Sequence, residues 1–185
     1  MRRPFAITAR LGPVATKAVL ESTEERLIHQ MILGSVRIEF NGGAPLASSR
    51  DVQVQEDGSL TQVALVPFLW DLVAACSRLI RGLSGKETIS MIPTTYALVV
   101  ETSDDQATVR LMATKEHRLN QVAAVSLTLR EFVNAFIPLA YLVSRWITDT
   151  NPELKGNLHL QRFIAAISKL QQEVGKLATE TPGNK

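Results

Sequence analysis

The chain has 185 residues, of which 45% are hydrophobic and 21% charged, a balance that excludes wholesale disorder. Twenty basic against eighteen acidic residues leave a formal charge of +2, too even for a protein that binds nucleic acid through its charge. A chain this long buries roughly two-thirds of its unfolded surface, so it needs neither disulfide nor metal to fold.

Met1-Arg2-Arg3-Pro4-Phe5 opens on basic residues, but Arg10, Lys17, Glu21, Glu24 and Glu25 interrupt the apolar run a secretion signal requires. The most apolar stretches, 63–70 and 136–143, are eight residues each, where a bilayer span needs about twenty. A soluble protein with no membrane partner is expected. Cys76 has no second cysteine to pair with, which fits a reducing cytoplasm, and its apolar neighbours make it a small buried thiol.

Phe5 to Leu11 alternates loosely as a strand does, and Gly12-Pro13 stops it. Apolar residues at 19, 20, 27, 28, 31 and 32 then predict a helix over 14–33, with Glu24, Glu25 and Arg26 opposite. Residues 1–34 read as an N-terminal extension to a main domain over 35–178. Val36, Ile38 and Phe40 alternate with Arg37 and Glu39 in a half-buried strand, followed by a turn at Asn41-Gly42-Gly43. Val52 and Val54 mark a second short strand, and 61–66 a third. Pro67 sits where a helix would begin, because the first turn leaves that N–H unpaired anyway. Leu69, Leu72, Val73, Cys76, Leu79, Ile80 and Leu83 share one face of it, and Gly82 and Gly85 end it.

The centre repeats this scheme of strands feeding a helix. Residues 96–101 and 106–113 form a hairpin around Ser103-Asp104-Asp105, and 122–127 form a further strand. Thr128-Leu129-Arg130-Glu131 is a capping-box pattern that opens a long helix reaching Ile147, with a bend expected at Pro138. Asn151-Pro152-Glu153 restarts helix formation, and Leu160, Phe163, Ile164, Ile167, Leu170, Val174 and Leu177 mark one apolar face. The tail 179–185 is expected to be disordered. The sum is an α+β fold: a mostly antiparallel sheet built from short hairpins, with helices packed on one face.

Reaction chemistry has no signature here. His29, His117 and His159 share no metal-ligand spacing, and Cys76 offers no partner ligand. No Gly-x-Ser-x-Gly elbow occurs, and Gly82-Leu83-Ser84-Gly85-Lys86 lacks the spacing of a phosphate loop. The carboxylate pairs Glu24/Glu25, Glu56/Asp57 and Asp104/Asp105 lie in polar or turn contexts, where the charge is simply solvated. Neither catalytic residues, cofactor nor metal is expected. Arg162, Lys169 and Lys176 recur every seven residues, which a solvated helix face explains.

Surface features point instead to binding. Residues 1–34 carry five basic and three acidic side chains, 35–112 six and nine, and 113–185 nine and six. The acidic middle suits a partner with a basic face. Trp70 falls off the stripe of Leu69 and Leu72, where it either anchors a partner or packs beneath a neighbouring helix. The candidate partner-binding residues are Trp70, Glu101, Asp104 and Asp105.

Residues 36–147 resemble small bacterial immunity proteins of the polymorphic-toxin class, which join short antiparallel strands to helices. The resemblance rests on Val36–Phe40 with Asn41-Gly42-Gly43, on 63–83, on the hairpin 96–113 and on the strand-to-helix unit 122–147. It implies a non-catalytic cytoplasmic protein that binds and occludes a cognate toxin, with no residue roles carried over. Two alternatives remain: a small-ligand or regulatory domain with a pocket near Pro138, and a homo-oligomeric adaptor using the helix at 158–178.

Overall fold

The computed structural model describes residues 3–23, 32–46, 53–115 and 118–177. Expectations for His29, Val52, His117 and the tail 179–185 lie outside the described residues. Within them every strand pair is antiparallel and helices make up much of the rest, so the chain is an α+β protein.

The strands fall into two sheets instead of one. β1 (Phe5–Arg10) pairs along its length with β2 (Leu33–Phe40), which pairs on its other edge with β3 (Leu60–Ala64). β4 (Lys86–Ser90), β5 (Tyr96–Ser103), β6 (Gln106–Lys115) and β7 (Arg118–Thr128) form the second sheet in that spatial order. In β2 the alternation is plain: Val36, Ile38 and Phe40 are buried while Arg37 and Glu39 face the partly wet side. The turn after it uses positive φ at Asn41 (53°) and Gly42 (81°), as its sequence predicts. β4 has no counterpart in the sequence reading.

The N-terminal segment is built into the core and does not stand apart. β1 supplies Phe5 and Ile7, and α1 (Pro13–Leu20) supplies Ala15 and Val19. The helix expected over 14–33 therefore ends at Leu20, and Leu33 already belongs to β2. Ser22 closes it by donating its Oγ to Ala18 O at 2.6 Å and its N–H to Val19 O at 3.1 Å.

α2 (Leu65–Ile80) starts two residues before Pro67, so the proline is the third helical residue rather than the first. That position is tolerated because the first turn's N–H groups have no intrahelical acceptors. Leu69, Leu72, Val73, Cys76 and Leu79 are buried as their spacing predicts. Leu83 is not: it lies past the helix and is 70% exposed. Gly82 adopts φ 65° and donates to Leu79 O, while Leu83 N–H reaches back to Arg78 O at 2.9 Å. That pair of bonds is the Schellman closure, which removes Leu83 from the apolar face.

α3 (Leu129–Thr150) begins with the predicted capping box. Thr128 Oγ1 accepts the Glu131 N–H at 3.1 Å, and Glu131 accepts the Thr128 N–H at 2.8 Å. The helix continues through Pro138, whose ring lies on the exposed side. A 3-10 turn (Pro152–Gly156) then leads into α4 (Leu158–Leu177), where Leu160, Phe163, Ile167, Leu170 and Val174 are buried inside the chain.

The two halves exchange helices. α2 follows the first sheet but packs on β4 of the second; α3 follows the second sheet but packs on β1 of the first. Phe132, fully buried, links them: its ring lies 5.4 Å from Phe5 and 5.7 Å from Phe136. α4 closes the assembly over α2 and α3, where Arg81, just past the end of α2, meets Glu173 at 2.7 Å and Tyr141 Oη meets Ser168 Oγ at 3.0 Å. Asn151 ties in α1, donating from Nδ2 to Val19 O at 3.1 Å and Ser22 O at 3.3 Å.

Burial pushes the Cys76 thiol well above its ordinary range. Cys76 is therefore expected to react with Ellman's reagent only after denaturation, which a thiol titration checks. Gly34 has no room for a side chain: a Cβ there would lie 2.5 Å from Leu65 Cδ1 and 2.9 Å from Arg10 O. Leu65 can rotate, but a strand carbonyl cannot move freely. Gly34→Ala should cost about 1–3 kcal/mol by overpacking, measured by urea denaturation.

Candidate functional site

The four binding candidates do not converge. Trp70 sits in the second turn of α2, whereas Asp104 and Asp105 form the turn between β5 and β6. At 3.6 residues per turn, Val66, Pro67, Trp70 and Asp71 fall on one side of α2, and Leu79 and Ile80 roughly halfway round and about 15 Å along the axis. Two separate concavities result.

The first is a polar cleft of about 620 Å³ at the C-terminal end of α2. Asp104 and Asp105 line it together with Arg130, Glu131 and Asn134 of α3 and with Leu79 and Ile80. Pairing of Ser103 with Gln106 leaves only two residues to turn the chain, and Asp104 takes φ 53° to do so. A short polar side chain tolerates that conformation better than a branched one. The turn is fastened to α3, because Leu129 N–H donates to Asp105 O at 3.3 Å. Glu131, held by the backbone N–H and the hydroxyl of Thr128, titrates below the usual carboxylate range. Among the described residues the carboxylates of Asp104 and Asp105 make no ion pair or hydrogen bond.

Glu101 belongs to a different environment. It lies on β5 between two cations, with Lys86 Nζ at 2.6 Å and the Arg110 guanidinium bonded to its other oxygen. Those bonds hold its carboxyl below the ordinary range and commit it to fastening β4, β5 and β6 together. The sequence candidate Glu101 is thus a sheet residue, while among the described residues its neighbours at the turn remain unpaired.

The second concavity, about 370 Å³, is apolar and lies where the start of α2 meets the start of α4. Trp70, Phe163, Leu160, Val66 and Pro67 line it, with Asp71 and His159 also in its wall. The Trp70 and Phe163 rings are 5.4 Å apart and inclined by 30°, so Trp70 does pack beneath a neighbouring helix. It nevertheless remains 38% exposed. Burial raises the Asp71 carboxyl above its ordinary value, an effect that Arg78 partly opposes. This pocket offers an apolar ligand a walled space. The i, i+4 pairs Val66/Trp70 and Pro67/Asp71 mark its α2 wall in the sequence, but nothing local announces Phe163 or His159.

Other candidate chemistry is used structurally. Arg78 grips both Glu87 oxygens, at 2.8 and 2.6 Å, and Arg81 grips Glu173, so neither is offered to a polyanion. Among the described residues no three His, Cys, Asp or Glu side chains come together to hold a metal, and no helix is long and apolar enough to cross a membrane. No family model matches the chain, and neither a characterised protein nor a solved structure shows significant similarity to it.

The cap that fastens the cleft gives a pH-dependent signal. Glu131 is more acidic folded than unfolded, so its contribution is complete above the unfolded value of about 4.3 and is lost as pH falls through the lower folded value. Thr128→Ala should cost about 1 kcal/mol at neutral pH. The stability gap between the native chain and Glu131→Ala should narrow under acid, as urea titrations at a series of pH values would show.

Proposed function

We propose that the chain is a non-catalytic binding protein that neutralises a cognate bacterial toxin by covering it, in the cytoplasm. Its contact is the acidic mouth formed by the β5–β6 turn and the start of α3. The observation that supports this reading is the display of Asp104 and Asp105. Two carboxylates, unpaired among the described residues, stand on a turn fastened to a helix, at the lip of a preformed cleft of about 620 Å³. Charges held this way lose little freedom on binding, and they favour approach of a basic surface. Occlusion requires about 1,200–2,000 Å² of buried surface, so the cleft is the centre of a larger contact.

The oligomeric-adaptor reading has less support, since the apolar stripe of α4 is consumed inside the chain against α2 and α3. A small-ligand reading draws on one specific observation, the walled pocket beside Trp70. It concerns a different surface from the acidic mouth and is compatible with it.

Co-expression with the product of the adjacent gene tests the leading reading. The native chain should co-purify with that product and protect cells from it. The double variant Asp104→Lys, Asp105→Lys should bind about 10-fold or more weakly and lose protection, whereas Glu101→Gln should keep both. Undiminished protection by the charge-reversed variant would remove the acidic mouth from the mechanism, and absence of any protection by the native chain would end the toxin reading.

A further inference from the structure

The pocket between α2 and α4 combines an aromatic wall with a carboxylate, Asp71, at its exposed rim. Among the described residues Asp71 makes no hydrogen bond or ion pair. Arg78, whose charge acts on it, lies seven residues on and is gripped by both oxygens of Glu87. The rest of the wall is carbon, from Val66, Pro67, Leu160, Phe163 and the part of Trp70 that Phe163 does not cover.

Two helix starts border the same space, and a helix N-terminus attracts anions with the equivalent of about half a charge. Here that attraction is largely spent. Asn157 Oδ1 accepts the N–H groups of His159 and Leu160 at 3.1 and 2.9 Å, capping α4. At α2 the Ala64 and Leu65 N–H groups are bonded to Ile92 O and Ile32 O, and Pro67 has none to offer. The full negative charge of Asp71 therefore sets the sign of the site.

We infer that this pocket is a binding site for a small organic cation, an amine carried on an aromatic or branched aliphatic body. The apolar body fills the space against Phe163, Leu160 and Val66. The ammonium lies over the open part of the Trp70 ring and against Asp71, where a partly desolvated cation–π contact and an ion pair act together. His159 stands on the same wall. The cavity of about 370 Å³ lies within the usual range for small-molecule sites. The site is independent of the acidic mouth at the other end of α2.

The sequence has two tryptophans, so Trp146→Phe leaves Trp70 as the sole indole reporter. Its fluorescence is titrated at neutral pH with 2-phenylethylamine, phenylacetate and 2-phenylethanol, a set matched in shape and differing in charge. The amine should saturate the signal and bind tightest. Asp71→Asn should weaken the amine about 10-fold and leave the alcohol unchanged. If Trp146→Phe perturbs folding, the Trp70 indole N–H resonance of the native chain reports the same titration. Three outcomes overturn the proposal: no saturable amine binding, phenylacetate binding as tightly as the amine, or an Asp71→Asn variant that binds the amine normally. Since the titration contains no protein partner, its failure leaves the toxin reading standing, and the reverse also holds.

Discussion

Neither sheet in this protein can bury itself, and the exchange of helices solves that for both at once. A three-stranded and a four-stranded sheet each present an apolar face. Each is covered largely by the helix that follows the other. Phe132 carries the joint: it arrives on α3 from the second sheet, yet its ring rests against Phe5 of the first. Burying a side chain of that size is worth roughly 1.5–3 kcal/mol, and here the burial exists only when both halves are present. Stability and connection between the halves are therefore one interaction, and the buried residues form a single continuous core.

The same exchange shapes the surface. α2 is wedged between β4 and α4, fastened at its C-terminal end by Arg78 to Glu87 and by Arg81 to Glu173. Its two ends open into different concavities. One is acidic, with Leu79 and Ile80 at its base; the other is apolar and built around Trp70. A helix held this firmly presents both surfaces already formed, so little ordering cost remains at binding.

What could be read from the sequence was what neighbours in the chain decide. The stripe on α2, the stripe on α4, the Asn41-Gly42 turn and the capping box at Thr128 each depend on residues a few positions apart, and each is present. Errors arose where one pattern spanned two elements. The spacing that predicts a helix over 14–33 joins Val19 of α1 to Ile32, just before β2, which is buried for unrelated reasons. β4 escaped notice because only Ile89 of its five residues is buried, leaving no alternation to detect. The binding candidates fared similarly. Asp104 and Asp105 were legible as an acidic turn, but the pairing of Glu101 with Lys86 and Arg110 needed the register of three strands. Trp70 was visible as an off-stripe aromatic, whereas its pocket required α4 to arrive from ninety residues away.

Asn151 carries an implication for how the chain comes into being on the ribosome. Two carbonyls at and just past the end of α1, those of Val19 and Ser22, accept from an amide that is translated 132 and 129 residues later. At roughly 5–20 residues per second, that amide follows them on the order of ten seconds later. Phe5, likewise, has no Phe132 to meet until α3 has been made. β1 and α1 thus find part of their final surroundings only after both sheets have been translated.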